Sequence, residues 1–287
     1  DPKWSFELDQ DLVRFVLTGT AIVQWFKGDC RQCRHLADRL LAYGKNAGDM
    51  NSISEGYLAH GMGCFAAGDY HGAIEFCLKA IDCSTDPLYT FNARFLMAYA
   101  YLSLDDVSRA KENLDEITHF CDSSGYEYIG TSATALSSVV AVARGRLWFG
   151  VRAIRKHIKR SLAEGKVYHA QTFHFILGSI YLKLALRQGK LAGWAMLKNL
   201  PFLILHLPMA SGKAEYHLKT AIRLADRIEA LGVKAQACLD LGRLYKYRRQ
   251  YDLAEPLIRQ SVALFDKLGA DHHLQQATAI LDSFRQT

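Results

Sequence analysis

Apolar residues recur along this chain at helical spacing, as in the cluster Leu239, Leu241, Leu244 and Tyr245, and small residues stand among them in two columns. The first column reads Ala21, Gly61, Ala98, Ala141, Gly178 and Gly242. The second reads Cys33, Ala73, Ala110, Ala153, Ala214 and Ala254. Each pair lies twelve residues apart except Gly178 and Ala214, which are 36 apart, so that repeat carries an insertion of 24 residues. Spacings along the second column are 40, 37, 43, 61 and 40 residues. Where two helices pack closely, the residue facing the other backbone has room only for Gly, Ala, Ser or Cys. A Leu there overpacks by ~1–3 kcal/mol. Twelve residues fit a little over three helical turns and a bend, which suits helix, tight turn, helix. The pattern predicts helix pairs over 8–45, 51–83, 87–121, 127–163, 168–229 and 232–267. An amphipathic helix over 271–285 is expected to cap the open end.

Composition supports long helices. The chain has 287 residues with only 5 prolines, which argues against a turn-rich β fold. Half of the residues are apolar and 22% are charged, enough to build a core. No apolar run reaches the roughly 18 residues of a membrane span. The chain opens Asp1-Pro2-Lys3-Trp4 without a leader and reads as a piece of a longer protein. Net charge is +6, unevenly spread: residues 1–143 carry 11 Lys/Arg against 19 Asp/Glu, and residues 144–287 carry 24 against 10. That asymmetry reads either as drift between solvated faces or as an acidic and a basic end that orient partners. Seven scattered cysteines fit a reducing, cytoplasmic setting. Cys30 and Cys33 form a CxxC without a second pair at ligand spacing, so no metal is expected, and Cys33 fills an Ala slot of the repeat.

The phrases Leu177-Gly178-Ser179-Ile180-Tyr181 and Leu241-Gly242-Arg243-Leu244-Tyr245 resemble the tetratricopeptide repeat, with Leu before the first small residue and Tyr three after it. The repeats at Ala21 and Ala141 depart from it, with Gln24 and Arg144 in the Tyr position, and the period is near 40 instead of 34. The resemblance implies an all-α, right-handed α–α superhelix: a solenoid of about six helix pairs plus a cap, one domain over 1–287, with an apolar insertion at 187–211 in the fifth repeat.

A further resemblance lies in the C-terminal third: Leu197-Lys198-Asn199-Leu200-Pro201-Phe202-Leu203, Ala210 through His217, Ala235-Gln236-Ala237 through Leu241-Gly242, and Ala263 through Gly269. These stretches are similar to the helical-repeat region of multidomain bacterial signalling proteins, where a class III adenylate/guanylate cyclase domain and an ATPase domain precede the repeats. LuxR/MalT-type activators share that ATPase-plus-repeats plan. The resemblance implies a non-catalytic sensor segment whose partners are upstream ATPase and cyclase domains or a peptide. Its alternatives are the sensing arm of a transcription activator and a free-standing scaffold.

No phosphate loop, GxSxG, HExxH or calcium loop occurs, so neither catalysis nor a cofactor is expected. Helix-A positions around the small column mark a candidate partner groove, aromatic at one end (Trp25, Met62, Phe65, Phe95, Tyr99) and cationic at the other (Arg146, Lys183, Arg243, Lys246). Such a groove suits an acidic extended or helical peptide. The competing reading is that a tight superhelix buries the aromatics as core. Arg152, Arg155, Lys156, Lys159 and Arg160 form an outward basic patch, read as a solvated face or a contact for an acidic domain. Nucleic acid is not expected there, because interleaved aromatics are lacking. The insertion presents Trp194, Phe202, Ile204 and Leu205. A run so apolar must cover the protein's own groove, a second copy through 190–210, or a membrane surface.

Overall fold

A computed structural model describes residues 10–84, 86–124, 127–188 and 197–284. Among these residues there are fourteen helices and no strand. The first nine are α1 (Gln10–Lys27), α2 (Cys30–Ala47), α3 (Met50–Ala67), α4 (Tyr70–Cys83), α5 (Pro87–Ser103), α6 (Val107–Ser124), α7 (Glu127–Ala143), α8 (Leu147–Ala163) and α9 (Val167–Ala185). The others are α10 (Leu200–His206), α11 (Ala210–Arg227), α12 (Leu231–Tyr247), α13 (Tyr251–Leu268) and α14 (Asp271–Asp282). They form six antiparallel pairs stacked in chain order, with α9 pairing with α11 across the insertion and α14 packing on α13.

The turns set the period. Gly28, Gly48 and Gly68 take φ of +81°, +67° and +87°. Glycine closes a helix in this left-handed conformation without a Cβ penalty. An aspartate follows each one: Asp29, Asp49 and Asp69 accept the backbone N–H of Gln32, Asn51 and Gly72. That satisfies orphan donors of the next helix. The same left-handed position recurs at Asp105, Gly145, Gly165, Arg187, Glu229, Arg249 and Gly269. Helices of 17 or 18 residues joined by turns of two or three residues make a forty-residue pair, which is why the period exceeds 34.

Side-chain size then fixes how the pairs close. Cys33 Sγ lies 3.7 Å from the Ala21 carbonyl. A Cβ on Gly61 would stand 3.3 Å from the Ala73 carbonyl, and one on Gly242 would stand 3.2 Å from that of Ala254. On Gly178 it would meet Leu218, four residues past Ala214, at 2.7 Å. The fourth pair corrects the expected register. Ala153 is half-exposed, whereas Gly150 is buried, and a Cβ there would stand 2.7 Å from the Ser138 carbonyl. Ser138 and Gly150 are again twelve apart, so the column in this repeat lies three residues earlier than Ala141 and Ala153. Both choices offer small residues, and the backbone approach selects the glycine.

The superhelix returns on itself. α1 touches α12, and α3 touches α14. A Cβ on Gly232 would stand 2.9 Å from Gly28 Cα, so two backbones pass with no room for a side chain. Beside them the Arg31 guanidinium donates to the Asp266 carbonyl at 3.3 Å, and Lys27 pairs with Glu229 at 3.0 Å. Cys30 and Ala67 share one apolar cluster with Ala235, Leu239, Phe265 and Ala277. His273 is buried at this seam, its ring 5.1 Å from that of Phe265, and the Gln236 amide donates to it at 3.2 Å.

Three substitutions test this packing. Gly150→Leu is expected to lower the urea-unfolding free energy by ~1–3 kcal/mol, and Ala153→Leu by less than ~0.5 kcal/mol. The reverse order would restore the register read from the alanines. Gly232→Val is expected to part the seam, seen in small-angle scattering as a larger radius of gyration with helix content retained.

Candidate functional site

The aromatic end of the expected groove is filled by its own side chains. Phe26 stacks on Tyr168 at 3.9 Å between centroids, and Trp25 stands edge-on to Phe65 at 6.4 Å. Phe65 contacts Tyr99 at 5.9 Å, and Tyr99 contacts Phe95 at 5.3 Å. Met62 is buried below them. Each such ring pair adds about 0.5–1.5 kcal/mol beyond its area. Burial raises the hydroxyl pKa of Tyr99, and raises that of Tyr168 to about 12. These rings come from α1, α3, α5 and α9, and the Phe26–Tyr168 contact joins the first helix to the ninth.

The cationic end stays open. Leu186, Gln188, Arg243, Lys246, Tyr247 and Ile280 line a cleft of about 590 Å³ between the end of α9, α12 and α14. Its lining combines apolar side chains with the cations of Arg243 and Lys246. Arg243 is held from two sides, donating to Asp240 at 3.2 Å and to the side-chain Oε1 of Gln188 at 3.3 Å. Asp240 in turn accepts the Ser179 hydroxyl at 2.6 Å, and burial raises its pKa despite the cations nearby. Lys246 bonds the Ser283 hydroxyl, and its ammonium lies 4.6 Å from the Phe284 ring centre. Lys183 is exposed, and its charge acts on Asp240. Three of the four expected cations thus gather here. Arg146 does not: it sits at the α7–α8 turn, its guanidinium 4.6 Å from the Phe149 ring centre.

Arg152, Arg155, Lys156, Lys159 and Arg160 all lie on the exposed side of α8, away from buried Val151, Ile154 and Ile158. Of the insertion residues, Trp194 lies outside the described residues. Phe202 is buried, stacked on His206 at 4.1 Å and edge-on to Trp148 at 6.1 Å. Ile204 and Leu205 face outward, 66% and 51% exposed. α10 is therefore anchored on one face and bare on the other. Asn199 fastens its start, donating to the Gly145 carbonyl at 2.6 Å while its side-chain oxygen accepts the Leu147 N–H at 3.3 Å.

Beneath α10 lies a histidine cluster that spacing within any one segment does not announce. Nδ1 of His174 is 2.9 Å from Nδ1 of His217, and His206 Nδ1 stands 3.0 Å from the Tyr181 hydroxyl and 3.1 Å from Lys213 Nζ. The available signal was register: His174 lies four before Gly178 and His217 three after Ala214, so the small columns bring them face to face. Burial first, then Arg223, depresses His174 to about 4. Burial, His174, Arg155 and Lys213 together depress His217 to about 3. These imidazoles are neutral in the fold and protonate more readily when unfolded. Their stabilisation is complete above pH ~6.5 and is lost as pH falls toward the folded values. Urea unfolding from pH 7 to pH 4 is expected to show a loss on the order of 3 kcal/mol from His174 alone. His174→Phe should flatten the profile, and an unaltered profile would locate the acid sensitivity elsewhere.

No protein-family model and no curated protein matches the sequence. Among solved structures the chain is similar to NprR, crystallised in complex with its cognate peptide NprX. The TM-score is 0.64 at 12% identity, over 97% of this chain and 75% of that one. BtubC from P. vanneervenii superposes with a TM-score of 0.46 at 12% identity, over 86% of this chain and 92% of that one. The likeness to NprR concerns the fold, and with the helix pairs above it makes this chain an α-solenoid of tetratricopeptide-like repeats.

Proposed function

We propose that this chain is a non-catalytic peptide-binding sensor module, and that Lys183, Arg243 and Lys246 receive an acidic segment of its partner. The observation that carries this reading is the cleft between α9, α12 and α14, where a half-buried Asp240–Ser179 pair orients Arg243 beside apolar Leu186 and Ile280. A guanidinium held in advance loses less freedom on binding a carboxylate than a free one does. The fold likeness to NprR, a protein captured with a peptide, supports the same class of ligand. Trp25, Phe65, Phe95 and Tyr99 are half-buried against one another and Met62 is buried with them, so a long peptide that gained more contact from these residues would favour an open ring. The resemblance of the C-terminal third supports a cytoplasmic role in which peptide binding regulates a nucleotide cyclase of the parent protein.

Fluorescence anisotropy with labelled acidic and neutral peptides tests the cleft. Acidic peptides are expected to bind, with affinity falling tenfold or more in Arg243→Ala/Lys246→Ala and unchanged in Lys79→Ala on distant α4. Equal binding of both peptide classes, indifferent to the double substitution, would defeat the assignment. Cyclase turnover in the full-length parent that ignores a bound peptide would defeat the regulatory role alone.

A further inference from the structure

Among the described residues, the face formed by α8 and α10 sets exposed apolar side chains beside unpaired cations. Leu197, Leu200, Ile204, Leu205 and Leu207 expose aliphatic side chains side by side. Trp148 and Phe149, at the start of α8, stand exposed at their edge, and the Trp148 ring touches Phe202 and His206 of α10. Along α8 from Trp148 run Arg152, Arg155, Lys156 and Lys159, spaced so that they share one helix face. Among the described residues none of these four forms an ion pair. From Arg144 to Ala214 the sequence holds thirteen Lys/Arg and a single acid, Glu164, which Arg160 and Lys166 already engage.

We infer that this face docks peripherally on a membrane leaflet rich in anionic lipid, with the outer side of α10 entering the headgroup region and the α8 cations meeting lipid phosphates and carboxylates. The chemistry separates this occupant from the others. A second copy packed knob to knob would bring two strongly cationic surfaces together without acids to neutralise them. A nucleic acid would satisfy the cations and find two rings to stack on in Trp148 and Phe149, but it would leave the larger aliphatic knob of Leu197, Leu200, Ile204, Leu205 and Leu207 bare in water. An anionic bilayer satisfies both features, because apolar burial and charge attraction act at the same depth. Exposed Trp148 suits the interface, where its ring has an apolar body and a polar edge. α10 has seven residues, and no described helix is long and apolar enough to cross a membrane, so the contact is superficial.

Vesicle co-sedimentation of the 287-residue chain tests this directly. Binding is expected to phosphatidylcholine vesicles containing ~30% phosphatidylserine and not to phosphatidylcholine alone, and to be lost in high salt. Each α8 cation removed should weaken it about fivefold, so Arg152→Ala/Lys156→Ala/Lys159→Ala should weaken it about a hundredfold. Ile204→Asp/Leu205→Asp should also abolish sedimentation, with helix content by circular dichroism unchanged. Failure to bind the anionic vesicles, or equal binding to both kinds, would overturn the inference. So would a dimer in light scattering that Ile204→Asp/Leu205→Asp dissolves, or preferential binding of duplex RNA that ignores those two substitutions. None of these outcomes bears on the peptide cleft, which lies on α9, α12 and α14.

Discussion

Everything in this molecule depends on how near two helix backbones come at a few fixed points. Those points are set by turns that recur about every twenty residues and by side chains small enough to be absent. The turn residue must enter the left-handed region, and glycine does so freely at Gly28, Gly48, Gly68, Gly145, Gly165 and Gly269. Where Asp105, Arg187, Glu229 or Arg249 stands instead, the conformation costs on the order of 1 kcal/mol and the packed flanking helices hold it. Regular turns give each pair nearly the same rotation to pass on. The rotation accumulates until Gly28 meets Gly232, and the same rule that closes each pair closes the whole superhelix.

Closure divides the inner surface. The aromatics of α1, α3, α5 and α9 find one another and are half-buried, while the rim of α12 and α14 stays apart. Polar groups taken inside are handled by partners or by neutrality. Asp240 keeps a hydroxyl and a guanidinium, and the His174–His217 pair stays uncharged. Glu55, buried near Arg14, has its pKa raised to about 7 by burial, so it sits close to protonation at neutral pH. A peptide that gains from both halves must differ in affinity for closed and open rings, and that difference is all the coupling such a module can transmit.

The helix pairs were legible because overpacking is a local penalty that leaves its mark residue by residue. Register in the fourth pair was not, since Ser138, Ala141, Gly150 and Ala153 are all small and the two candidate columns lie one turn apart. Composition cannot choose between them, but backbone approach can. Ring closure was illegible for a different reason: it is a sum of small rotations over six pairs, and no residue pattern records the sum. Hence the aromatics at Trp25, Phe65 and Tyr99 had two readings, as groove or as core, and the sequence held nothing to decide between them. The histidine pair was hidden in the same way, visible only after both columns are laid side by side across the insertion.

Charge gives the last step. The acidic first half and basic second half suggest a seam held by attraction between them, yet the seam is built the other way round. Lys27 and Arg31 reach from the acidic half to Glu229 and to the Asp266 carbonyl in the basic half. The Lys27–Glu229 pair is exposed and contributes at most ~1 kcal/mol. Backbone proximity at Gly28 and Gly232 and the apolar cluster around Phe265 do the holding. The large excess of one sign on each half is therefore not consumed by folding. The basic excess of the second half remains outside, on the α8 face and at the α12 cleft, where it can act on other molecules.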